Sequence, residues 1–65
     1  MKLTEEQKDN IEKAYWARKW DLGKEGALKV AIRVVIPPEA IPGKFQTKVD
    51  AYRKIYEDMK HLTTE

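Results

Sequence analysis

The sequence predicts an all-α fold, a small three-helix domain that occupies residues 1–65 as one unit. Both ends of the chain carry the signals of amphipathic helices, and the apolar segment between them has no second candidate strand to pair with. A domain of this size buries a small core and is marginally stable without a disulfide, a metal or a partner. We therefore expect it to be oligomeric.

The first predicted helix is Thr4–Asp21. Thr4 and Gln7 have the spacing of a capping box, and the acidic residues between them suit the positive end of a helix dipole. Gly23 and Gly26 follow at positions where a left-handed or flexible residue can end a helix. The capping signal and the glycines thus predict both ends of this element.

The second predicted helix is Lys24–Val35, and its segment 27–36 is ambiguous. At a helical period, one stripe contains Leu28, Ala31, Ile32 and Val35. At a period of two, one face contains Leu28, Val30, Ile32, Val34 and Ile36, which favours a strand. A lone strand could pair only with the same strand of another copy, so the alternative is a helix-strand-helix chain paired across a homodimer. We favour the helix because it needs no partner.

The third predicted helix is Pro42–Leu62 and forms the spine of the domain. Its apolar residues repeat at alternating steps of four and three, namely Phe45, Val49, Tyr52, Tyr56 and Met59. Pro37 and Pro38 end the preceding element and begin a stiff connector. Pro42 suits the first turn of the new helix.

The residue types predict that the chain is not an enzyme and uses no cofactor or metal. The sequence contains no Cys and no Ser, and its only His is His61. A nucleophile with its base, a thiolate metal site and a phosphate-binding glycine loop are therefore all missing. Glu57 and Asp58 share a helix face with lysines, which is typical of a solvated, ion-paired surface rather than a general acid.

The positions of the acidic and apolar residues argue against a secretion signal and against a membrane-spanning helix. Four acidic residues lie in the first twelve positions, where a secretion signal needs an apolar run. No apolar stretch approaches the roughly 18 residues of a membrane-spanning helix. We expect no membrane partner, and a cytoplasmic location agrees with the absence of Cys.

Two tryptophans lie outside the expected core face of the first helix. A helical projection places on that core face Leu3, Gln7, Ile11, Ala14, Tyr15, Arg18 and Leu22. Trp16 and Trp20 project from the opposite side, four residues apart. One interpretation is that they pack inside the chain, for example under the loop 36–42; the other is that they bind another molecule, most readily a second copy.

Basic residues surround the tryptophans. Segment 13–33 holds six bases against two acids, a net charge of +4, whereas residues 1–12 hold two bases against four acids, a net charge of −2. The candidate binding residues are Trp16, Trp20, Lys13, Arg18, Lys19, Lys24, Lys29 and Arg33. Aromatic rings with flanking bases are typical of interface anchors and of surfaces that stack nucleotide bases.

These residues support three functional hypotheses. The first is a non-catalytic protein-interaction module, an adaptor or inhibitor that acts as a homodimer or higher oligomer and binds another protein through the aromatic and basic residues. The second is a nucleic-acid or nucleotide binder that uses segment 13–33 for phosphates and a Trp for stacking. The third is a structural subunit of a larger assembly.

Overall fold

The computed structural model describes residues 2–64, and the regular structure in that range is entirely helical. Helix α1 is Glu5–Val35, a 3-10 turn follows at Pro38–Ala40, helix α2 is Phe45–Met59, and a second 3-10 turn is Lys60–Thr63. The all-α prediction is confirmed. No strand occurs between residues 2 and 64, so the paired-strand alternative for 27–36 is wrong. A helix satisfies the backbone donors and acceptors of this segment internally, without a partner chain.

Helix α1 bends at Gly23, whose backbone has φ 77° and ψ 174°. A straight helix of 31 residues would be about 46 Å long, whereas the longest dimension of the molecule is 33 Å. We call residues 5–22 the N-terminal arm and residues 24–35 the C-terminal arm. With the two arms taken together as α1, residues 2–64 contain two α-helices, so the predicted count of three is not confirmed; the non-helical residue Gly23 lies between the first two predicted helices, Thr4–Asp21 and Lys24–Val35.

The start of α1 has the predicted capping box. The backbone amide of Gln7 donates to the Thr4 hydroxyl at 3.1 Å, and the amide of Thr4 donates to the Gln7 side-chain oxygen at 2.9 Å. These bonds satisfy two amides that a bare helix end would leave without partners. The predicted first residue of this helix is therefore correct to within one position.

The core joins both arms of α1 to α2 and the turn that follows it. Its buried residues are Leu3, Ile11, Tyr15, Ala27, Leu28, Ala31, Ile32, Ile36, Ile41, Ile55, Met59 and Leu62. The helical stripe expected for segment 27–36 is present. On the N-terminal arm the expected core face is buried at Ile11 and Tyr15, but Leu22 is 48% exposed and Arg18 is half-buried. The rest of the chain therefore covers the middle of this arm but not its last turn.

Helix α2 begins three residues later than predicted. Gly43 has φ 107°, far from the φ near −63° of a regular helical turn, and Lys44 is the N-cap. The helix therefore cannot extend back to Pro42. Phe45, the first residue of the predicted apolar stripe, is 78% exposed and lies outside the core. At the other end the α-helix stops at Met59, and Leu62 lies in the 3-10 turn.

The connector between the helices is tied to α2 by one lysine. The Lys48 ammonium donates to the carbonyl of Pro38 at 2.5 Å and to the carbonyl of Ile41 at 2.7 Å. Ile41 is buried. The two hydrogen bonds attach both ends of segment 38–41 to α2. Between residues 2 and 64, no helix is long and apolar enough to cross a bilayer.

Candidate functional site

The first candidate surface is the Trp face, which we define as Trp16 and Trp20 on the N-terminal arm. Trp20 is 90% exposed and Trp16 is 40% exposed. The interpretation in which the loop 36–42 covers the pair is wrong for Trp20, because nothing in the described chain shields its indole. A side chain that can bury about 150–250 Å² therefore projects into solvent.

The two indoles of the Trp face are held differently. The ring of Trp16 meets the buried ring of Tyr15 edge to face, with centroids 5.4 Å apart and planes at 71°. The Lys19 ammonium lies 4.4 Å from the centre of the Trp16 ring, a cation–π contact. Trp16 is thus positioned by its neighbours, whereas Trp20 is 90% exposed.

The other predicted binding residues of the N-terminal half differ in exposure. Lys13 and Lys24 are exposed, and Arg18 is half-buried. One guanidinium nitrogen of Arg18 donates to the carbonyl of Ala14 at 3.4 Å, so this side chain lies along its own helix. Near the Trp face, the Lys19 ammonium contacts the Trp16 ring.

Lys29 and Arg33 belong to a second surface, between the C-terminal arm of α1 and α2. We call it the cationic groove. Its volume is about 470 Å³, and its lining residues are Lys29, Ile32, Arg33, Val49, Tyr52, Arg53 and Tyr56. Three of these residues are cationic and none is acidic, and neither Trp lines the groove. The structure therefore divides the predicted site into two surfaces.

Aromatic rings form one wall of the cationic groove. The Lys29 ammonium lies 5.8 Å from the centre of the Tyr56 ring, within the range of a cation–π contact. The Tyr52 hydroxyl donates a 2.6 Å hydrogen bond to the Ile36 carbonyl. Burial raises the pKa of Tyr52, the Arg33 charge partly offsets that rise, and Glu39 adds to it. At neutral pH this phenol is protonated and able to donate its hydrogen bond.

The cationic groove continues into a smaller hollow of about 230 Å³. The two share Arg33, Val49 and Tyr52, and the smaller one adds Pro38, Phe45 and Lys48. The extension again adds a base and an exposed aromatic ring and no acid. A ligand that suits both spaces carries negative charge together with an apolar body.

Five of the seven residues that line the cationic groove were not predicted as binding residues, and three of these five carry polar groups, namely Tyr52, Arg53 and Tyr56. The two tyrosines belong to the apolar stripe predicted for the third helix. In the structure all three lie where that stripe meets solvent. The one available signal was that a tyrosine needs a partner for its hydroxyl and favours the edge of a core over its centre.

Neither surface brings together the groups of a recognisable reaction. Among residues 2–64, no three His, Cys, Asp or Glu side chains approach closely enough to hold a metal ion. Comparison with protein-family models, curated proteins and solved structures finds no match to this chain. Both surfaces can bind a ligand through aromatic and cationic groups.

Proposed function

We propose that the chain is a non-catalytic protein-interaction module, an adaptor or inhibitor, that acts through the Trp face and assembles as a homo-oligomer. The observation that carries the proposal is the 90% exposure of Trp20 beside the partly exposed Trp16. Large aromatic side chains dominate the binding free energy of protein interfaces. Two of them four residues apart on one helix provide an anchor of the size that such interfaces use.

The surroundings of the Trp face also suit an interface. The ring of Trp16 is held against Tyr15, so less side-chain entropy is lost when a partner covers it. Lys19 lies at the edge of the pair, where a polar rim normally surrounds a buried interface centre. The small core supplies a further reason, because association stabilises a domain of this size.

The test replaces both tryptophans of the Trp face. A Trp16→Ala, Trp20→Ala variant keeps the helix signal in circular dichroism and loses self-association in light scattering, together with any partner that the wild-type chain retains. In a Trp16→Phe variant, the remaining emission reports on Trp20 alone. Its maximum shifts to shorter wavelength as protein concentration rises, because the indole moves from water into an interface.

Val34→Ala is the matched control, since Val34 is a 54% exposed apolar residue of α1 that belongs to neither the Trp face nor the cationic groove. This variant associates like the wild type under the proposal. If the double variant unfolds, the tryptophans stabilise the fold and the proposal fails. It also fails if the double variant associates and captures partners as the wild type does.

A second candidate is binding of a nucleotide or single-stranded nucleic acid. The observation that favours it is the pairing of cations with rings, with Lys19 over Trp16 and Lys29 over Tyr56. The separation of the bases into two surfaces weakens it. Titration with single-stranded oligonucleotides and free nucleotides at low salt tests it, because phosphate binding weakens steeply as salt rises. Unchanged Trp and Tyr emission excludes it.

A further inference from the structure

A stripe of acidic and aromatic residues runs along the outer side of the N-terminal arm. Its members are Glu5, Asp9, Glu12, Trp16 and Trp20, all of them exposed. Steps of four, three, four and four residues place them on one side of a helix. We call this set the acidic-Trp stripe. It extends the Trp face toward the start of the helix, and apart from an ion pair of Glu5 with Lys8 at 3.8 Å its acids are open to solvent.

The cationic groove has the complementary chemistry. Lys29, Arg33 and Arg53 line it without any acid, and the rings of Tyr52 and Tyr56 form its apolar wall. Three cations that converge on one space repel one another, so a carboxylate-bearing occupant lowers the electrostatic energy of the groove. An occupant with indole rings also gains stacking and cation–π contacts there.

The dimensions of the two surfaces agree as well. Glu12 and Trp20 are eight residues apart, which corresponds to about 12 Å along a helix. On the α2 side of the groove, Val49 and Tyr56 are seven residues apart, about 10 Å. A helix that lies along α2 therefore presents Glu12 and two tryptophans over the length of the groove, while Asp9, one turn earlier, falls over the smaller hollow that Arg33 and Phe45 also line.

We propose that the cationic groove of one copy receives the acidic-Trp stripe of a second copy, and the reverse, in a two-fold symmetric dimer. Asp9 and Glu12 face Arg33 and Arg53, while the indoles pack on Tyr52 and Tyr56. The proposal rests on the proposed function, since it makes the Trp face the inserted element. A two-fold symmetric dimer contains this contact twice. Each contact therefore needs to bury only half of the roughly 1,200–2,000 Å² that a stable interface buries in total.

A charge exchange tests this pairing. The stripe variant is Asp9→Lys, Glu12→Lys, and the groove variant is Arg33→Glu, Arg53→Glu. All four positions are exposed, so the substitutions spare the core. In the stripe variant both surfaces are positive, in the groove variant both are negative, and each chain alone is monomeric in light scattering. An equal mixture restores both contacts and returns to twice the mass of one chain.

The matched control reverses two other exposed acids of α1, Asp21→Lys, Glu25→Lys, which lie outside the acidic-Trp stripe. This variant remains dimeric. Circular dichroism checks the fold of each chain. If a variant unfolds, it is replaced by a neutral one: Asp9→Asn, Glu12→Gln for the stripe, or Arg53→Gln for the groove. With these neutral variants the expected result is weaker association in each, and an unchanged dimer overturns the proposal.

The outcomes separate this inference from the proposed function. If Trp16→Ala, Trp20→Ala abolishes association while the mixed charge variants stay monomeric, the Trp face is an interface but the groove is not its receptor. A wild-type chain that is monomeric at its highest soluble concentration also overturns the inference. The groove is then tested with an acidic helical peptide and with an oligonucleotide, and binding of either assigns it a different occupant.

Discussion

The hydroxyl of Tyr52 in the middle of α2 donates a 2.6 Å hydrogen bond to the carbonyl of Ile36, the C-cap residue of α1. The bond satisfies one of the carbonyls that a helix end leaves without partners. It also fixes α2 against the C-terminal arm at the point where both line the cationic groove. The stability of the fold and the shape of the groove are therefore coupled through a single side chain.

Tyr52→Phe removes this bond and keeps the ring. We expect the free energy of unfolding to fall by about 1 kcal/mol, the usual net contribution of one hydrogen bond. Urea denaturation of both chains measures the difference. Tyr56→Phe is the control, because Tyr56 lies one turn further along α2 in the same groove. An equal loss in both variants would assign the effect to the groove in general and not to the bond with Ile36.

The same bond predicts a dependence on alkaline pH. Burial raises the pKa of Tyr52 above its ordinary value near 10. A raised pKa means that the folded state favours the protonated phenol. Its contribution is present below about pH 10 and is lost as the pH rises through the folded-state pKa. The stability difference between wild type and Tyr52→Phe should be constant near neutrality and shrink above pH 10; a difference that does not change would contradict this account.

Tyr15→Phe should raise the free energy of unfolding, whereas Tyr52→Phe lowers it. Tyr15 is fully buried, and its hydroxyl has no hydrogen-bond partner within the described part of the chain. Burial of an unpaired polar group costs about 1–3 kcal/mol. Phe keeps the edge-to-face contact with Trp16 and removes that cost. We expect urea denaturation to show about 1 kcal/mol of added stability, and a clear loss would mean that the hydroxyl is satisfied in solution.

Lys48→Met tests how the connector is held. Met keeps the apolar stem and removes the ammonium that donates to Pro38 and Ile41. Hydrogen bonds from charged groups contribute about 1.5–3 kcal/mol. Because the bond to the Pro38 carbonyl is exposed, we expect the free energy of unfolding to fall by an amount at the lower end of that range. Amide exchange in residues 38–44 should become faster while α1 exchanges as before. Lys54→Met, at an exposed position of the same helix, should leave the free energy of unfolding and the amide exchange of residues 38–44 unchanged.

The helices could be predicted because their signals are local. Thr4 and Gln7 are three residues apart, and the apolar stripe of α2 repeats within one helix. Gly23 indicated a break, and the structure places a bend there. The start of α2 was predicted incorrectly because the proline at 42 was taken as the first turn. The deciding feature is the backbone of Gly43, which depends on how the connector closes.

The candidate site was only half predictable. The exposure of Trp20 follows from its place opposite Ile11 and Tyr15 on one helix, which a helical projection shows. The cationic groove is formed by two helices whose lining residues are 16 or more positions apart in the sequence, such as Arg33 and Val49. No local pattern brings these side chains together, because their proximity depends on the packing of α2 against the C-terminal arm.

The bend in α1 should tolerate only glycine at position 23. Its φ of 77° with ψ of 174° lies in a region that is essentially restricted to glycine. A Cβ built at Gly23 meets nothing within 4 Å, so any cost of Gly23→Ala comes from the backbone alone. We expect a loss of about 1–3 kcal/mol in urea denaturation.

Gly26→Ala is the control for that experiment, three residues away in the same helix. The backbone at Gly26 is helical, and a Cβ there meets only the Leu22 side chain at 3.4 Å, an ordinary contact. Alanine in a helix interior is favoured over glycine by about 0.5–1 kcal/mol, so this variant should be slightly more stable. If Gly23→Ala is equally stable, α1 can straighten at residue 23. Tyr15 and Leu28 would then no longer share one core, and near-ultraviolet circular dichroism would report the change around Tyr15.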